Sequence, residues 1–254
     1  MSGVTNPMDL SGKLLIVTGA SSGIGRETCR CLSELGARVI LVARNREKLA
    51  EVAVALAGKD HRIEPFDLTH SDEIPEWLEG IAKSLGPLDG VVHSAGVFKM
   101  RLIRDWSLAE TDAMMRINLY PCFALAKGLR RRNCHRPGAS LVFLSSIAGI
   151  KGQPALAIYT ATKAAIVGLT RCLALEFAPD GVRVNCVAPA LVQTEMADTL
   201  LGSMTADQMA KLAHSHPLGL GKPRDVANAI AFLLADTSRW ITGTTLITDG
   251  ACTA

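Results

Sequence analysis

No apolar run in the chain approaches the roughly 20 consecutive residues that a membrane-spanning helix requires, so no membrane segment is expected. The first residues, Met1 to Leu10, show no basic segment leading into an apolar one. An export signal is therefore not expected, and the chain reads as soluble and cytoplasmic. Charge is nearly balanced: 27 Lys and Arg against 24 Asp and Glu leave +3, too little to argue for a nucleic-acid partner. The seven cysteines, at 29, 31, 122, 134, 172, 186 and 252, are an odd count at no metal-like spacing. They read as reduced, small apolar residues of a cytosolic protein, mostly buried. His214 and His216 stand two apart, and no metal site is expected there. Repeats, low-complexity stretches and linkers are absent too, which leaves one domain over 13–254 behind a loose N-terminal arm, 1–12. What is plentiful is core material, with 48% of the 254 residues hydrophobic.

The chain is organised around residues 146–163. Ser140-Leu-Val-Phe-Leu-Ser145 is apolar and strand-like, Gly149, Gly152 and Pro154 break the chain, and Ile158 to Phe177 reads as a helix. Tyr159 and Lys163, four apart, share one face of that helix. A cation about 4 Å from a phenol favours the phenolate by roughly 4 kcal/mol at an effective dielectric of about 20. That would draw a tyrosine from ~10 towards ~7, where it can give a proton in one direction and take it in the other. Ser146, at the strand end, is placed to aim a substrate oxygen at the phenol. Alone, such a Tyr-Lys pair is usually a surface feature, and its weight comes from what precedes it.

Lys13 to Thr18 is a short apolar strand, followed by Gly19-Ala-Ser21-Ser22-Gly23-Ile24-Gly25 and a helix from about Ile24 to Leu35. In a strand–turn–helix context such glycines let the backbone approach a pyrophosphate, whose charge suits the helix N-terminus. The second strand, Arg38 to Ala43, ends without the carboxylate that an NAD site places against the ribose. Arg44 stands there instead, and its guanidinium suits a 2′-phosphate, so NADP(H) is the expected cofactor. A helix from Arg46 to Leu56 follows.

A third strand, Arg62 to Phe66, leads to Asp67-Leu68-Thr69, and a helix over Ser71 to Leu85 packs Trp77. The fourth strand, Leu88 to His93, leads to Ser94-Ala95-Gly96. One long helix is expected from Asp105 to about Arg131, with Asn118 near its middle, where asparagine is usually a surface residue. Arg130, Arg131, Arg132, His135 and Arg136 form the one dense basic run, which suits a helix C-terminus or, less simply, an acidic partner. Gly181 to Val187 is a sixth strand, followed by Ala188 to Thr194. The polar, Met-rich segment to Gly221, with two short helical patterns, is placed like a substrate lid, about 190–221. Pro223 to Leu234 is a helix and Thr244 to Thr248 a final strand. Alternating strands and helices predict an α/β fold: a single Rossmann-like domain with a doubly wound, mostly parallel, seven-stranded sheet and helices on both faces.

From Lys13 to about Gly250 these motifs resemble the short-chain dehydrogenase/reductase family, and within it the 3-oxoacyl-(acyl-carrier-protein) reductases and their relatives. They are Thr18 to Gly25, Asp67-Leu68-Thr69, Ser94-Ala95-Gly96, Asn118, Ser146, Tyr159-x-x-x-Lys163, Asn185 and Pro189 to Thr194. The resemblance implies that Gly19, Ser21, Ser22, Gly23, Ile24 and Gly25 hold the pyrophosphate and that Asp67 and Leu68 meet the adenine. Ser94, Ala95 and Gly96 would form a cofactor wall, and Pro189, Val192 and Thr194 would anchor the nicotinamide carboxamide. Tyr159 would be the acid/base and Ser146 would hold the carbonyl oxygen. Lys163 would bind the nicotinamide ribose and depress the Tyr159 pKa, and Asn118 would hold a water of the proton relay. No metal is implied.

The implied reaction is NADPH-dependent reduction of a ketone, most simply a 3-oxoacyl thioester, free or on an acyl carrier protein, by a homotetramer built through the long helices and last strand. A reductase or dehydrogenase of another secondary alcohol, such as a sugar, steroid or secondary metabolite, is the alternative. A catalytically silent cofactor-binding regulator is disfavoured by the intact Asn118, Ser146, Tyr159 and Lys163. Departures from the family pattern are His93-Ser94 in place of Asn-Asn, Ala190 in place of glycine after Pro189, the missing arginine in Pro217 to Pro223, and Asp180 before Gly181.

Overall fold

The computed structural model describes residues 6–202 and 204–254. Seven strands form one sheet: β1 (Leu14–Thr18), β2 (Arg38–Ala43), β3 (Arg62–Pro65), β4 (Leu88–His93), β5 (His135–Leu144), β6 (Arg183–Pro189) and β7 (Thr245–Thr248). Their order is β3-β2-β1-β4-β5-β6-β7. Every neighbouring pair is parallel, so the doubly wound sheet expected from the βα alternation is present. A parallel sheet is covered on both faces, which is why its central strands read as unbroken apolar runs; β1, Leu-Leu-Ile-Val-Thr, is buried throughout.

The helices are α1 (Gly23–Glu34), α2 (Arg46–Val54), α3 (Ile74–Leu85), α4 (Leu108–Asn118), α5 (Tyr120–Leu129), α6 (Ala157–Phe177), α7 (Glu195–Leu201), α8 (Ala206–His214) and α9 (Pro223–Leu234). Alternate strand residues face opposite ways. Ile16, Val91 and Phe143 pack with Leu78, Leu125, Ile166 and Phe177 of α3, α5 and α6. Leu15, Leu41 and Val142 pack with Leu32, Leu49 and Ile230 of α1, α2 and α9. Trp77 stacks on Phe66 with ring centroids 4.5 Å apart.

Three expectations need correction. The long helix from Asp105 to Arg131 is two helices, α4 and α5, meeting at Leu119, whose φ of −119° departs from the helical value. Pro121 lies in the first turn of α5. It has no N–H for a helical bond, and its ring would collide with the carbonyl four residues back, so the helix is interrupted there. Asn118 is accordingly not a surface residue but fully buried at the end of α4. The second correction is β5, which starts at His135, five residues before Ser140, with a register shift against β4 between Leu88 and Gly90. The third is the arm. Leu10 is fully buried and donates its N–H to Leu35 O at 2.8 Å, so the described part, 6–12, is not loose throughout. The first five residues lie outside the described residues.

By length and mean hydropathy, α6 with the turn after it (Ala157–Asp180) would suit a bilayer. Its Ile166, Leu173 and Phe177 instead pack against the sheet, and it carries a buried Lys163, as a core helix of this fold can.

Candidate active site

The strand order reverses between β1 and β4, and a crevice opens beyond the C-terminal ends of strands at such a switch point. There a cleft of about 820 Å³ runs across the sheet. That lies within the range of small-molecule sites, roughly 300–1,000 Å³.

One end of the cleft is the turn between β1 and α1. Gly19 has φ +68°, and a Cβ on it would lie 2.8 Å from Ala95 N; a Cβ on Gly25 would lie 2.2 Å from Gly19 O. Only glycine allows this turn to close on Ser94, Ala95 and Gly96 at the end of β4. Gly19, Ser21, Ser22, Gly23, Ile24 and Gly25 all line the cleft. Ser22, the N-cap residue, makes no side-chain cap, so the first N–H groups of α1 are left to other acceptors. A cradle that any Cβ would fill, at the positive end of a helix, fits the pyrophosphate of a dinucleotide.

Next along the wall are Ala43, the last residue of β2, and Arg44, with Asn45 and Lys48, which the sequence reading did not single out. Asn45 accepts the Lys48 N–H at 2.7 Å and so caps α2, which brings a second cation to the Arg44 side of the cleft. Asp67 Oδ1 accepts the Thr69 N–H at 3.0 Å and its hydroxyl at 2.8 Å. The backbone hydrogen bond from Thr69 is the main reason its carboxyl lies below the usual range. Leu68 lines the cleft beside it. Ser94 Oγ donates to Thr18 O at 3.0 Å. His93, one residue earlier, lies under the wall with Nδ1 2.8 Å from Thr18 Oγ1. Its Nε2 has no hydrogen-bond partner among the described residues. Burial, with Lys163 as a lesser cause, lowers its pKa to about 3 and keeps it neutral.

At the other end stand Ser146, Tyr159 and Lys163, all on the cleft wall. Ser146, just past β5, has Oγ 3.5 Å from Pro189 O and accepts the Ala148 N–H at 3.2 Å. Tyr159 and Lys163 share a face of α6, with Nζ 5.7 Å from the Tyr159 ring centroid. Phe98 packs edge-on against Tyr159 at 5.1 Å between centroids. The electrostatics differ from the expected tuning. Burial pushes the Tyr159 phenol above its usual value, and a hydrogen bond with Ser146 works against that rise. Burial likewise lowers Lys163, to about 8. Desolvation disfavours the charged form of each group, and Nζ donates to Leu144 O at 2.8 Å rather than to the phenol.

Asn118 lies behind the wall. Its Oδ1 accepts the Val97 N–H at 2.8 Å, and its Nδ2 donates to Val97 O at 3.0 Å and Thr162 Oγ1 at 3.3 Å. The amide thus ties the segment following Gly96 to α6. Asn118 Oδ1 and Lys163 Nζ approach each other across Gly96, lying 3.2 and 3.7 Å from where its Cβ would be.

Pro189, the last residue of β6, and Val192 and Thr194 beyond it line the cleft. Val192 bridges to Gly221, and the Ala190 N–H reaches Thr248 O at 3.3 Å, so both ends of the segment leading to α7 and α8 are tied down. Phe98, Met100, Leu156, Met196, Met204 and Leu212 make this end of the cleft largely apolar. His216 is the buried polar exception, with Nδ1 2.9 Å from Leu212 O and Nε2 without a partner among the described residues. Glu195, directly after Thr194, reaches back to the glycine turn, which sequence reading did not anticipate. Among the described residues no group of three or more His, Cys, Asp or Glu is placed to hold a metal ion.

A family model described as enoyl-(acyl carrier protein) reductase matches residues 19–253. The chain is 32% identical to the 3-oxoacyl-(acyl-carrier-protein) reductase of Thermotoga maritima, covering 96% of this chain and 98% of that protein. It is 35% identical to the reductase of the same name from Rickettsia felis, over 96% and 98%. A solved short-chain dehydrogenase/reductase from Brucella melitensis, titled glucose/ribitol dehydrogenase, is similar at a TM-score of 0.88 and 32% identity, covering 96% of this chain and 98% of its own. The chain belongs to the short-chain dehydrogenase/reductase family. It is an NAD(P)-dependent oxidoreductase acting on a CH–OH group.

Proposed function

We propose that this enzyme uses NADPH to reduce the ketone of a 3-oxoacyl thioester to a secondary alcohol. The observation that carries the reading is one continuous cleft, with a glycine cradle and two cations, Arg44 and Lys48, at one end and Ser146, Tyr159 and Lys163 in an apolar chamber at the other. The bound cofactor supplies a hydride for the carbonyl carbon. Gly19 to Gly25 hold its pyrophosphate, Arg44 and Lys48 its 2′-phosphate, and Asp67 and Leu68 its adenine. Ser94, Ala95 and Gly96 wall the nicotinamide side, and Pro189, Val192 and Thr194 hold the carboxamide.

Ser146 Oγ donates a hydrogen bond to the substrate oxygen. Tyr159 gives that oxygen its proton as the C–O double bond becomes single, and the phenol is left as phenolate. A phenol held above its usual value is fully protonated at neutral pH, the form that reduction needs. Lys163, at about 8, remains mostly charged at neutral pH. It holds the ribose hydroxyls and stabilises the phenolate after transfer. Asn118, facing Lys163 across Gly96, positions the water through which the phenol is reprotonated.

The apolar wall of Phe98, Met100, Leu156 and Leu212 suits an acyl chain, and the named relatives reduce 3-oxoacyl groups. A polyol or sugar is the second reading, favoured by the buried His216 Nε2 on the same wall, which has no partner among the described residues, and by the similarity to the Brucella glucose/ribitol dehydrogenase structure. Exposed Phe123 on α5, Leu175 on α6 and Ile247 on β7 support a homotetramer formed through these elements. Seven free cysteines suit the cytoplasm.

NADPH consumption with an acetoacetyl thioester, a diketone and an aldose separates the readings. The thioester should react best, and Tyr159→Phe should lower kcat roughly 10²–10⁴-fold while nucleotide affinity is kept. Near-normal turnover by that variant would refute the mechanism, and a preference for the aldose would favour the second reading.

A further inference from the structure

The first residue of the lid helix α7 is in contact with the first turn of α1. Glu195 Oε2 accepts the Gly23 N–H at 3.0 Å. Its Oε1 lies 2.7 Å from Arg26 Nη2. Gly23 and Arg26 are the first and fourth residues of α1. A Cβ on Gly23 would lie 3.3 Å from Thr194 Cγ2, so the start of the lid packs directly on the turn. A helix of this length presents unsatisfied N–H groups and positive potential at its start, and it attracts one anion well. A pyrophosphate seated on Gly19 to Gly25 would draw on that same end. Two anions there repel, and an N–H already given to a carboxylate is not free for phosphate.

We propose that Glu195 is a positioning residue of the cofactor site: its carboxylate competes with the nucleotide's pyrophosphate for the first turn of α1. Nucleotide entry then draws Glu195 away from Gly23 and transfers Arg26 from carboxylate to phosphate. Because Glu195 begins α7 and Met196 lines the substrate chamber, the same exchange reshapes the wall the substrate meets. The proposal rests on the nucleotide site described above, but not on the preference for NADPH or on the identity of the ketone.

Glu195→Gln keeps the shape and an acceptor but removes the charge. Calorimetric titration of the full chain with ADP, NADH, NADPH and adenosine 2′-monophosphate tests the idea. The variant should bind the three diphosphates roughly tenfold tighter, the order of one charge-assisted hydrogen bond at a half-exposed site. The gain should shrink with added salt. Adenosine 2′-monophosphate has no 5′-diphosphate and should bind as in the wild type.

Arg26→Gln gives a second arm. It should cost little ADP affinity in the wild type, where Glu195 engages the arginine, and several-fold more in the Glu195→Gln background. Unchanged or weaker ADP binding by Glu195→Gln would overturn the proposal, as would an equal gain for adenosine 2′-monophosphate. Failure of the wild type to bind any of the four ligands would instead remove the nucleotide site itself.

Discussion

His93 gives the chain a built-in acid sensitivity whose size follows from its burial. The side chain lies at the end of β4, paired in register with Thr18 of β1 and Phe143 of β5. It is 1% exposed, and burial lowers its pKa to about 3 from an ordinary value of ~6.5. In the unfolded chain it takes up a proton near ~6.5, whereas in the folded chain it stays neutral until about 3. The stability contributed is therefore complete above ~6.5 and lost as pH falls through that interval. One pH unit is worth ~1.4 kcal/mol, so lowering pH from about 7 to about 5 should cost about 2 kcal/mol through this group alone. Other groups titrate as well, so the measurement is a difference. Urea unfolding at both pH values should be compared for the wild type and His93→Asn, which puts the residue usual in this family at that position. The variant's stability at pH 7 is immaterial; its loss on acidification should be smaller by about 2 kcal/mol. Equal losses in both proteins would show that His93 is protonated in the folded state and that the account of its burial is wrong.

Cofactor choice should follow the second strand. NADPH should bind roughly 10-fold tighter than NADH, the low end for charge-assisted bonds because Arg44 is exposed, and Ala43→Asp with Arg44→Ile should reverse the order. Arg44→Ile alone should leave part of the preference through Lys48; fluorescence titration decides, and equal wild-type affinities would refute the assignment. Gly25→Ala places a Cβ 2.2 Å from a backbone carbonyl and should cost about 1–3 kcal/mol, seen as a fall in Tm with loss of nucleotide binding. Gly168→Ala on α6 meets nothing within 4 Å and should not lower Tm. In the basic run, Arg130 already pairs with Glu176 and Asp180, Arg131 with Glu76 and Glu79, and Arg136 with Asp89. If the run docks an acyl carrier protein, charge reversal at Arg130 and Arg132 should raise KM for a carrier-bound substrate and spare a small thioester; equal effects on both would leave the run a purely structural role.

Features carried by short stretches of chain were legible in advance. The apolar strands, the glycine turn between β1 and α1, and the pairing of Tyr159 with Lys163 on one helix face each depend on neighbours within about one turn or one strand. The helix break at Pro121 was equally local, yet one continuous helix was expected because α5 resumes the helical period directly beyond the break. The burial of Asn118 was not legible from its helix for a different reason. Its burial is created by Val97, 21 residues away, and Thr162, 44 residues away, and nothing in its helical surroundings announces them.

The ionisation of the Tyr-Lys pair shows where spacing stops being informative. Four residues of helix bring a cation towards a phenol, and in water that proximity alone would lower the phenol. The fold adds two facts that spacing omits. Both groups are desolvated, which raises one pKa and lowers the other, and the ammonium donates to Leu144 O, on β5, instead of the phenol. The contact between Glu195 and Gly23 lies further from local reading still, because it joins residues 172 positions apart. Thr194 was expected near the cofactor through the resemblance alone, and it does line the cleft. That the next residue turns a carboxylate into the glycine cradle follows only from the packing of β6, α7 and α1 around one end of the sheet.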